Sequence, residues 1–246
     1  MGDAQSVDTQ EIVAKYRRGW PVNSFLSQLT TRTLREFLTK GRIIQFSNNE
    51  TLIDENLAET SVFLLLSACV KVTARLDQGG HALLAVRVGG DMVGELAAMD
   101  GGSRSATVKA CGRDPVVAAV LTQSDFVSLL SRYPEAAMTL NTAIGRKLRS
   151  ATRRRIDYSG CTPRVRLARA LVELAEDYGH QQIPASQVLV AINLTQLELG
   201  TLVGVAEVTA QRALRELRKD GLINTSGRRP IIRDINALRV AAHLAP

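Results

Sequence analysis

The sequence has little of what would staple, anchor or catalyse. It holds three cysteines in 246 residues, Cys69, Cys111 and Cys161. They are too few and too scattered for a disulfide framework, and no C-x₂-C pair offers a metal site. A reducing cytoplasm is the compartment this implies. No long hydrophobic run is present. The longest apolar stretch, Val62 to Val70, is broken by Ser67 and falls far short of the roughly 20 residues of a membrane span. The opening MGDAQSVDTQEIVAKYRR has no apolar segment of the secretory kind. His81, His180 and His243 stand alone, and no Ser/His/Asp or Cys/His arrangement suggests an active site. There is no G-x-x-x-x-G-K-[ST] phosphate loop. These absences argue against a membrane protein, a secreted mini-protein and an enzyme, and no metal or cofactor is expected.

What is present is an ordinary globular composition, 45% hydrophobic and 22% charged, long enough for two modest domains. The net charge of +7 is unevenly spread. Residues 1–135 hold 14 Lys/Arg against 15 Asp/Glu, whereas residues 136–246 hold 17 against 9. A basic half beside a near-neutral half points to a polyanion-binding domain joined to something else.

Residues 1–20 read as a loose, polar N-terminal arm, and Phe25 to Leu38 as short helices. The texture then changes to short runs rich in Val, Ile and Leu: IIQF (43–46), TLI (51–53), SVFLLL (61–66), CVKVTARL (69–76), HALLAVRV (81–88), ATVKA (106–110) and VVAAVL (116–121). Turn signals separate them, among them Asp77-Gln78-Gly79-Gly80 and Asp114-Pro115. Short strands at such spacing predict a β-sandwich or barrel. Thr122 to Asp125 then opens a short helix in capping-box style.

A long helix is expected after Pro134, with Ala137, Ile144, Ala151 and Tyr158 recurring every seven residues. Asn141, Leu148 and Arg155 occupy the other seam position. This imperfect heptad stripe suits pairing with a second copy of the chain, or packing on the chain's own β-domain. The basic run Arg146, Lys147, Arg149, Arg153, Arg154 and Arg155 reads as a solvated face. Gly160 to Pro163 breaks the helix, and Thr162 with Pro163 starts another that runs to residue 178. Residues 179–193 read as a polar loop.

Residues 195–219, TQLELGTLVGVAEVTAQRALRELRK, carry a second constellation. Thr195 caps a helix that ends at Gly204, where a tight turn needs a glycine. The following helix starts near Ala206. Its expected buried face is Val208 or Thr209, Ala213, Leu214 and Leu217, and its other face shows Glu207, Gln211, Arg212, Arg215, Arg218 and Lys219. GLIN (221–224) and PIIR (230–233), joined by a turn through Arg228 and Arg229, form a two-stranded wing. Two helices, a glycine turn and a wing make a winged helix-turn-helix, whose second helix fits the DNA major groove. Candidate DNA contacts are Thr195, Gln196, Glu207, Val208, Thr209, Gln211 and Arg212, with Arg228 and Arg229 suited to phosphates.

The most specific stretch is GELAAMDGGSRSATVKA (94–110). It sets one carboxylate, Glu95, and one arginine, Arg104, between two strands. A short helix between them can aim backbone N–H groups at an anion, and Arg104 can fork-bond a phosphate. This segment resembles the phosphate-binding cassette of cyclic-nucleotide-binding domains. With the β-rich half, the long helix and the winged helix-turn-helix, residues 24–235 resemble the Crp–Fnr family of bacterial transcription regulators.

The resemblance implies an α+β protein: an N-terminal arm (1–20), a jelly-roll-like β-roll that binds cyclic nucleotide (21–134), a central dimerisation helix (135–159) and a winged helix-turn-helix domain (160–246). It implies that Glu95 takes the ribose 2′-hydroxyl and that Arg104 and Ser105 take the cyclic phosphate. The backbone of Gly94, Leu96 and Ala97 would line the same cradle. In cAMP-responsive members, hydroxyls on the central helix contact adenine; Ala151 and Thr152 stand there, so one of two is missing. Two turn glycines of the family are absent, one from Ser67-Ala68-Cys69 and one replaced by Asn56. Glu207 and Val208 stand where the cAMP-responsive prototype has an arginine and a glutamate, so a different operator is expected. The implied effector is cAMP or cGMP, and the implied partners are double-stranded DNA, a second copy of the chain and RNA polymerase. A constitutive regulator with a vestigial pocket, and a nucleotide-binding module whose basic tail contacts protein, are the competing readings.

Overall fold

The computed structural model describes residues 9–55, 57–112, 114–181, 187–190, 192–226 and 229–245. It divides into two compact units. The first holds the chain up to Ala74 and Val86–Arg146; the second holds Arg75–Ala85 and the chain from Lys147 onward.

The first unit begins with α1 (Thr9–Tyr16), a single 3₁₀ turn (Arg17–Gly19), α2 (Phe25–Gln28) and α3 (Thr31–Lys40). Strands follow: β1 (Arg42–Phe46), β2 (Thr51–Ile53), β3 (Val62–Leu65), β4 (Cys69–Arg75), β5 (His81–Val88) and β6 (Met92–Val93). Then come α4 (Glu95–Asp100), β7 (Thr107–Cys111), β8 (Val116–Leu121), α5 (Gln123–Arg132) and α6 (Pro134–Gly160); His81–Ala85 of β5 and Lys147–Gly160 of α6 belong to the second unit. The strands form two sheets, β1-β8-β3-β6 and β2-β7-β4-β5. β3 runs antiparallel to both β8 and β6, and β7 antiparallel to both β2 and β4.

The apolar runs are continuous because the first sheet is covered on both faces. Successive side chains of a strand point to opposite faces. Val62 and Leu64 of β3, with Ala119 and Leu121 of β8, join a helical core around Phe25, Phe37 and Phe126. Phe63 and Leu65, with Val116 and Ala118, join a second core with Phe46, Val108 and Ala110. The three rings of the helical core meet edge to face, with centroids 5.9 and 6.3 Å apart, a favourable aromatic geometry.

Two sequence expectations change here. The described part of the N-terminal arm is docked: Ile12 and Trp20 are buried, and the Trp20 indole donates to the Leu66 carbonyl at 2.8 Å. An indole N–H buried without an acceptor would be costly, and Leu66 supplies one. β6 is a strand that the sequence does not announce, its two residues lying in a glycine-rich stretch. The turn at Ala68 keeps a left-handed backbone (φ 54°) without the family's glycine, at a cost of roughly 1 kcal/mol. Asn56 lies outside the described residues.

In α6, Ala136, Leu140 and Ala143 are buried, and Ala137 and Ile144 pack against the helical core. The heptad reading is therefore corrected in part. Its first two positions cover the chain's own β-domain, while the exposed apolar groups of the helix are Met138, Leu148, Ile156 and Tyr158.

The second unit contains α7 (Pro163–Tyr178), β9 (Gly179–Gln181), β10 (Val188–Val190), α8 (Gln196–Leu202), α9 (Glu207–Lys219), β11 (Ile223–Ser226), β12 (Arg229–Ile232) and α10 (Ile235–Ala241). Its core includes Leu167, Leu171, Leu199, Leu202, Ala213, Leu214, Leu217 and Leu238. The expected polar loop at 179–193 contains β9 and β10, which extend the wing into a four-stranded sheet, β11-β12-β10-β9. Only two residues, Cys161 and Thr162, separate α6 from α7. The junction is tied by an ion pair of Arg169 and Asp157 at 2.5 Å, by Arg166 over the Tyr158 ring and by Arg166 donating to the Val203 carbonyl.

Candidate functional site

The first unit places Arg104 and Glu95 together, both buried despite being ionisable. β6 leads through Gly94, whose φ of 89° turns the chain into α4, and Glu95 is the first residue of that helix. Arg104 follows α4 and precedes β7. Its guanidinium donates from Nη1 to the Gly94 carbonyl at 3.0 Å and from Nη2 to the Ser61 carbonyl at 2.7 Å. Its Nε is buried and has no hydrogen-bond partner. Burial lowers the Arg104 pKa from its ordinary value, and the negative charges of Glu59 and Glu95 oppose that shift. The guanidinium stays charged, because arginine is not deprotonated in proteins. A buried cation with a free N–H is suited to an anion, because a charge out of water needs compensation.

The remaining cassette residues lie around it. Ser105 is exposed, Ala97 is buried, and Leu96 is exposed. Thr152, the expected adenine contact, lies exposed on α6 within the second unit. Sequence reading missed Ser61. It acts through a backbone carbonyl 43 residues away from Arg104, so no side-chain signal marks it.

The second unit builds the helix-turn-helix as its sequence suggests. Thr195 and Glu198 form a reciprocal capping box: the Glu198 N–H donates to Thr195 Oγ1 at 3.1 Å, and the Thr195 N–H donates to a Glu198 carboxylate oxygen at 2.7 Å. Two otherwise orphaned N–H groups are thereby satisfied. Gly204 has φ 65°, the left-handed geometry expected of the turn. α9 buries Ala210, Ala213, Leu214 and Leu217. The expected buried face is corrected at its start: Val208 is 75% exposed and Ala210 takes the inward position. Glu207, Val208, Arg212 and Arg215 are exposed, while Thr209 and Gln211 are half-buried. Arg212 pairs loosely with Glu216 one turn on, at 3.3 Å. The Thr195 hydroxyl is engaged in the cap, and Gln196 beside it is half-buried. Arg229 begins β12 and is half-buried; Arg228 lies outside the described residues. α9 therefore presents a mixed face, with cations and one bare isopropyl group.

Among the described residues no cluster of His, Cys, Asp and Glu could hold a metal ion, and no helix is long and apolar enough to cross a membrane.

Two domain families match the chain: the cyclic nucleotide-binding domain over residues 43–133 and the Crp-like helix-turn-helix domain over residues 165–241. The chain is 28% identical over 195 residues to the CRP-like cAMP-activated global transcriptional regulator of Mycobacterium tuberculosis, covering 79% of this chain and 85% of that protein. Its fold is similar to that of the c-di-GMP responsive global regulator CLP of Xanthomonas campestris. There the TM-score is 0.70 and the identity 18%, with 82% of this chain and 99% of the other covered. It is also similar to a CRP/FNR-family transcriptional regulator of Thermus thermophilus, with TM-score 0.67, 21% identity and coverage of 83% and 100%.

Proposed function

Because the chain belongs to the Crp–Fnr family of transcription regulators, we propose that it is a homodimeric, sequence-specific DNA-binding regulator of the cytoplasm, whose first unit senses cAMP or cGMP. Arg104, with Ser105 and the backbone of Gly94, Leu96 and Ala97, takes the cyclic phosphate, and Glu95 takes the ribose 2′-hydroxyl. Thr152 supplies a hydroxyl to the base. α9 enters the major groove with Glu207, Val208, Thr209, Gln211 and Arg212. Thr195, Gln196, Arg228 and Arg229 hold the DNA backbone. Val208 can touch a thymine methyl, the apolar landmark of the groove, and RNA polymerase is a further partner.

The observation that carries the ligand reading is Arg104: buried, charged, and with Nε unpaired. An anion at that edge would supply the missing acceptor and the missing charge. Control is a population shift, which requires the nucleotide to bind one arrangement of the dimer more tightly than another. One observation favours a second reading, a constitutive regulator. Both terminal nitrogens of Arg104 already have acceptors, in Gly94 and Ser61, so the side chain has a structural role without any ligand.

Titration calorimetry with cAMP and with cGMP separates the two. The expected result is micromolar binding of one nucleotide, lost in Arg104→Ala, with DNA affinity that changes when that nucleotide is added. Absence of heat from both nucleotides with folded protein, together with DNA binding unaffected by either, would leave the constitutive reading standing.

A further inference from the structure

The sequence separates Cys69 and Cys111 by 42 positions, yet the fold sets them directly opposite each other. Cys69 opens β4, Cys111 closes β7, and the two strands are antiparallel with these residues in register. Their sulfurs lie 3.0 Å apart, and the Cys69 thiol also donates to the Cys111 carbonyl at 2.9 Å. Both residues are reduced, with no disulfide between them. Directly opposed residues of an antiparallel pair have Cα atoms about 4.5–5.5 Å apart, inside the roughly 4.4–6.8 Å that a disulfide spans. Two thiols held in this way need no backbone rearrangement to reach the ~2.05 Å of an S–S bond.

We propose that Cys69 and Cys111 form an oxidisable dithiol, closed to an intramolecular disulfide by a peroxide. The electrons balance on hydrogen peroxide itself. The Cys69 thiolate attacks one peroxide oxygen, the O–O bond breaks, and the displaced hydroxide takes a proton to become water. Cys69 is then a sulfenic acid. The Cys111 sulfur attacks it, the S–O bond breaks, and the departing hydroxide leaves as water with the Cys111 proton. Two sulfurs have lost two electrons and one peroxide has gained them. Cys69 is suited to go first: its pKa is lowered by the hydrogen bond with Cys111 and by the nearby Lys71 ammonium, against the opposing effect of burial. Thiolate character is what peroxide reaction requires. Cys161 lies in the other unit, which holds no second cysteine. It is the internal control. A bond at this place would fasten the start of β4 to the end of the strand that directly follows Arg104. The assignment is independent of what the pocket binds.

The test treats the full chain with hydrogen peroxide, quenches, unfolds it, alkylates and counts thiols. The expected result is a fall from three free thiols to one and a mass about 2 Da lower. A non-reduced digest should contain a cross-linked peptide joining Cys69 to Cys111, and dithiothreitol should reverse all three changes. Oxidised protein should also melt at a higher temperature than reduced protein, because the bond constrains the unfolded chain. Cys69→Ser and Cys111→Ser should each lack the cross-link. Should those buried substitutions fail to fold, Cys161→Ser keeps the question open to measurement, since it retains the pair and should lose both remaining thiols. Three thiols surviving peroxide that oxidises free cysteine, sulfinic acid at Cys69 without a cross-link, or a disulfide made only through Cys161 would each overturn the proposal.

Discussion

At Gly94 two constraints coincide. The backbone has φ 89°, and a Cβ added there would lie 2.6 Å from Arg104 Nη1 and 2.7 Å from the Ser61 carbonyl oxygen. The glycine is thus what lets a buried guanidinium sit against the chain. Gly94→Ala should push Arg104 off both carbonyls and weaken nucleotide binding at least about tenfold, which is roughly 1.4 kcal/mol. The backbone strain alone should cost about 1–3 kcal/mol of stability. Gly79→Ala separates the effects, because Gly79 also has a positive φ (85°) but nothing within 4 Å of its added Cβ. It should lose stability and keep nucleotide affinity. Calorimetry and urea titration of the two variants check this, and nucleotide affinity retained in Gly94→Ala would remove the carbonyl cradle from the site. At this scale the sequence was informative where chemistry resides in side chains. Glu95 and Arg104 stand out through the likeness of their segment to a phosphate-binding cassette. Ser61 could not, since any residue brings the same carbonyl, and the inward turn of Ala210 in place of Val208 depends on where α9 meets its neighbours.

Helices are held to one another by contacts that no single helix announces. Buried Thr33 of α3 donates its hydroxyl to the Glu135 carboxylate, in the first turn of α6, at 2.6 Å. That bond, with a backbone bond and the charge of Arg32, lowers the Glu135 pKa below the ordinary carboxylate value. The carboxylate is therefore preferred in the folded state. Its stabilisation is present above the unfolded-state pKa and is lost as pH falls through the lower, folded pKa. Thr33→Val should melt below the parent near neutral pH, and the gap should narrow on acidification. A gap independent of pH would assign the loss to packing instead. Elements of strong local pattern were legible for the same reason that such ties were not. The SVFLLL and VVAAVL runs, the Thr122 and Thr195 caps and Gly204 each carry their instruction within a few residues. β9 and β10 are three residues each and pair only with each other and with β12; Val188–Val190 is apolar, but so short a run carries no periodicity that separates a strand from a loop. Trp20 gives no local sign that its indole will find Leu66. The closeness of Cys69 and Cys111 is set by strand register, which spacing along the chain does not reveal.

Over the whole molecule, the proposal needs two copies, because a helix-turn-helix regulator reads half-sites about 34 Å apart with two recognition helices. The exposed side of α6 is the surface proposed to join them. Met138, Leu148 and Ile156 are each about two-thirds exposed. At 100° per residue they fall within about 80° of one another, and Met138 and Ile156 lie five turns, roughly 27 Å, apart along the axis. A stripe of that length, in which these three apolar groups alternate with Asn141, Gly145 and Thr152, fits a second copy of the same helix better than solvent. Leu148→Asp places a charge in the middle of the stripe and, in a symmetric pair, opposite its own copy. The variant should sediment as a single chain at concentrations where the parent is a pair. Val240→Asp, at an equally exposed position on α10 (62%), should leave the pair intact. DNA binding should follow assembly. The logarithm of affinity falls with that of salt in proportion to the phosphates neutralised, and one copy reaches about half of them. Leu148→Asp should therefore bind a palindromic site weakly and with about half the parent's salt slope. An unchanged slope with a monomeric variant would mean that one copy makes all the phosphate contacts. A dimeric Leu148→Asp would mean that the stripe on α6 is not the surface that joins the copies.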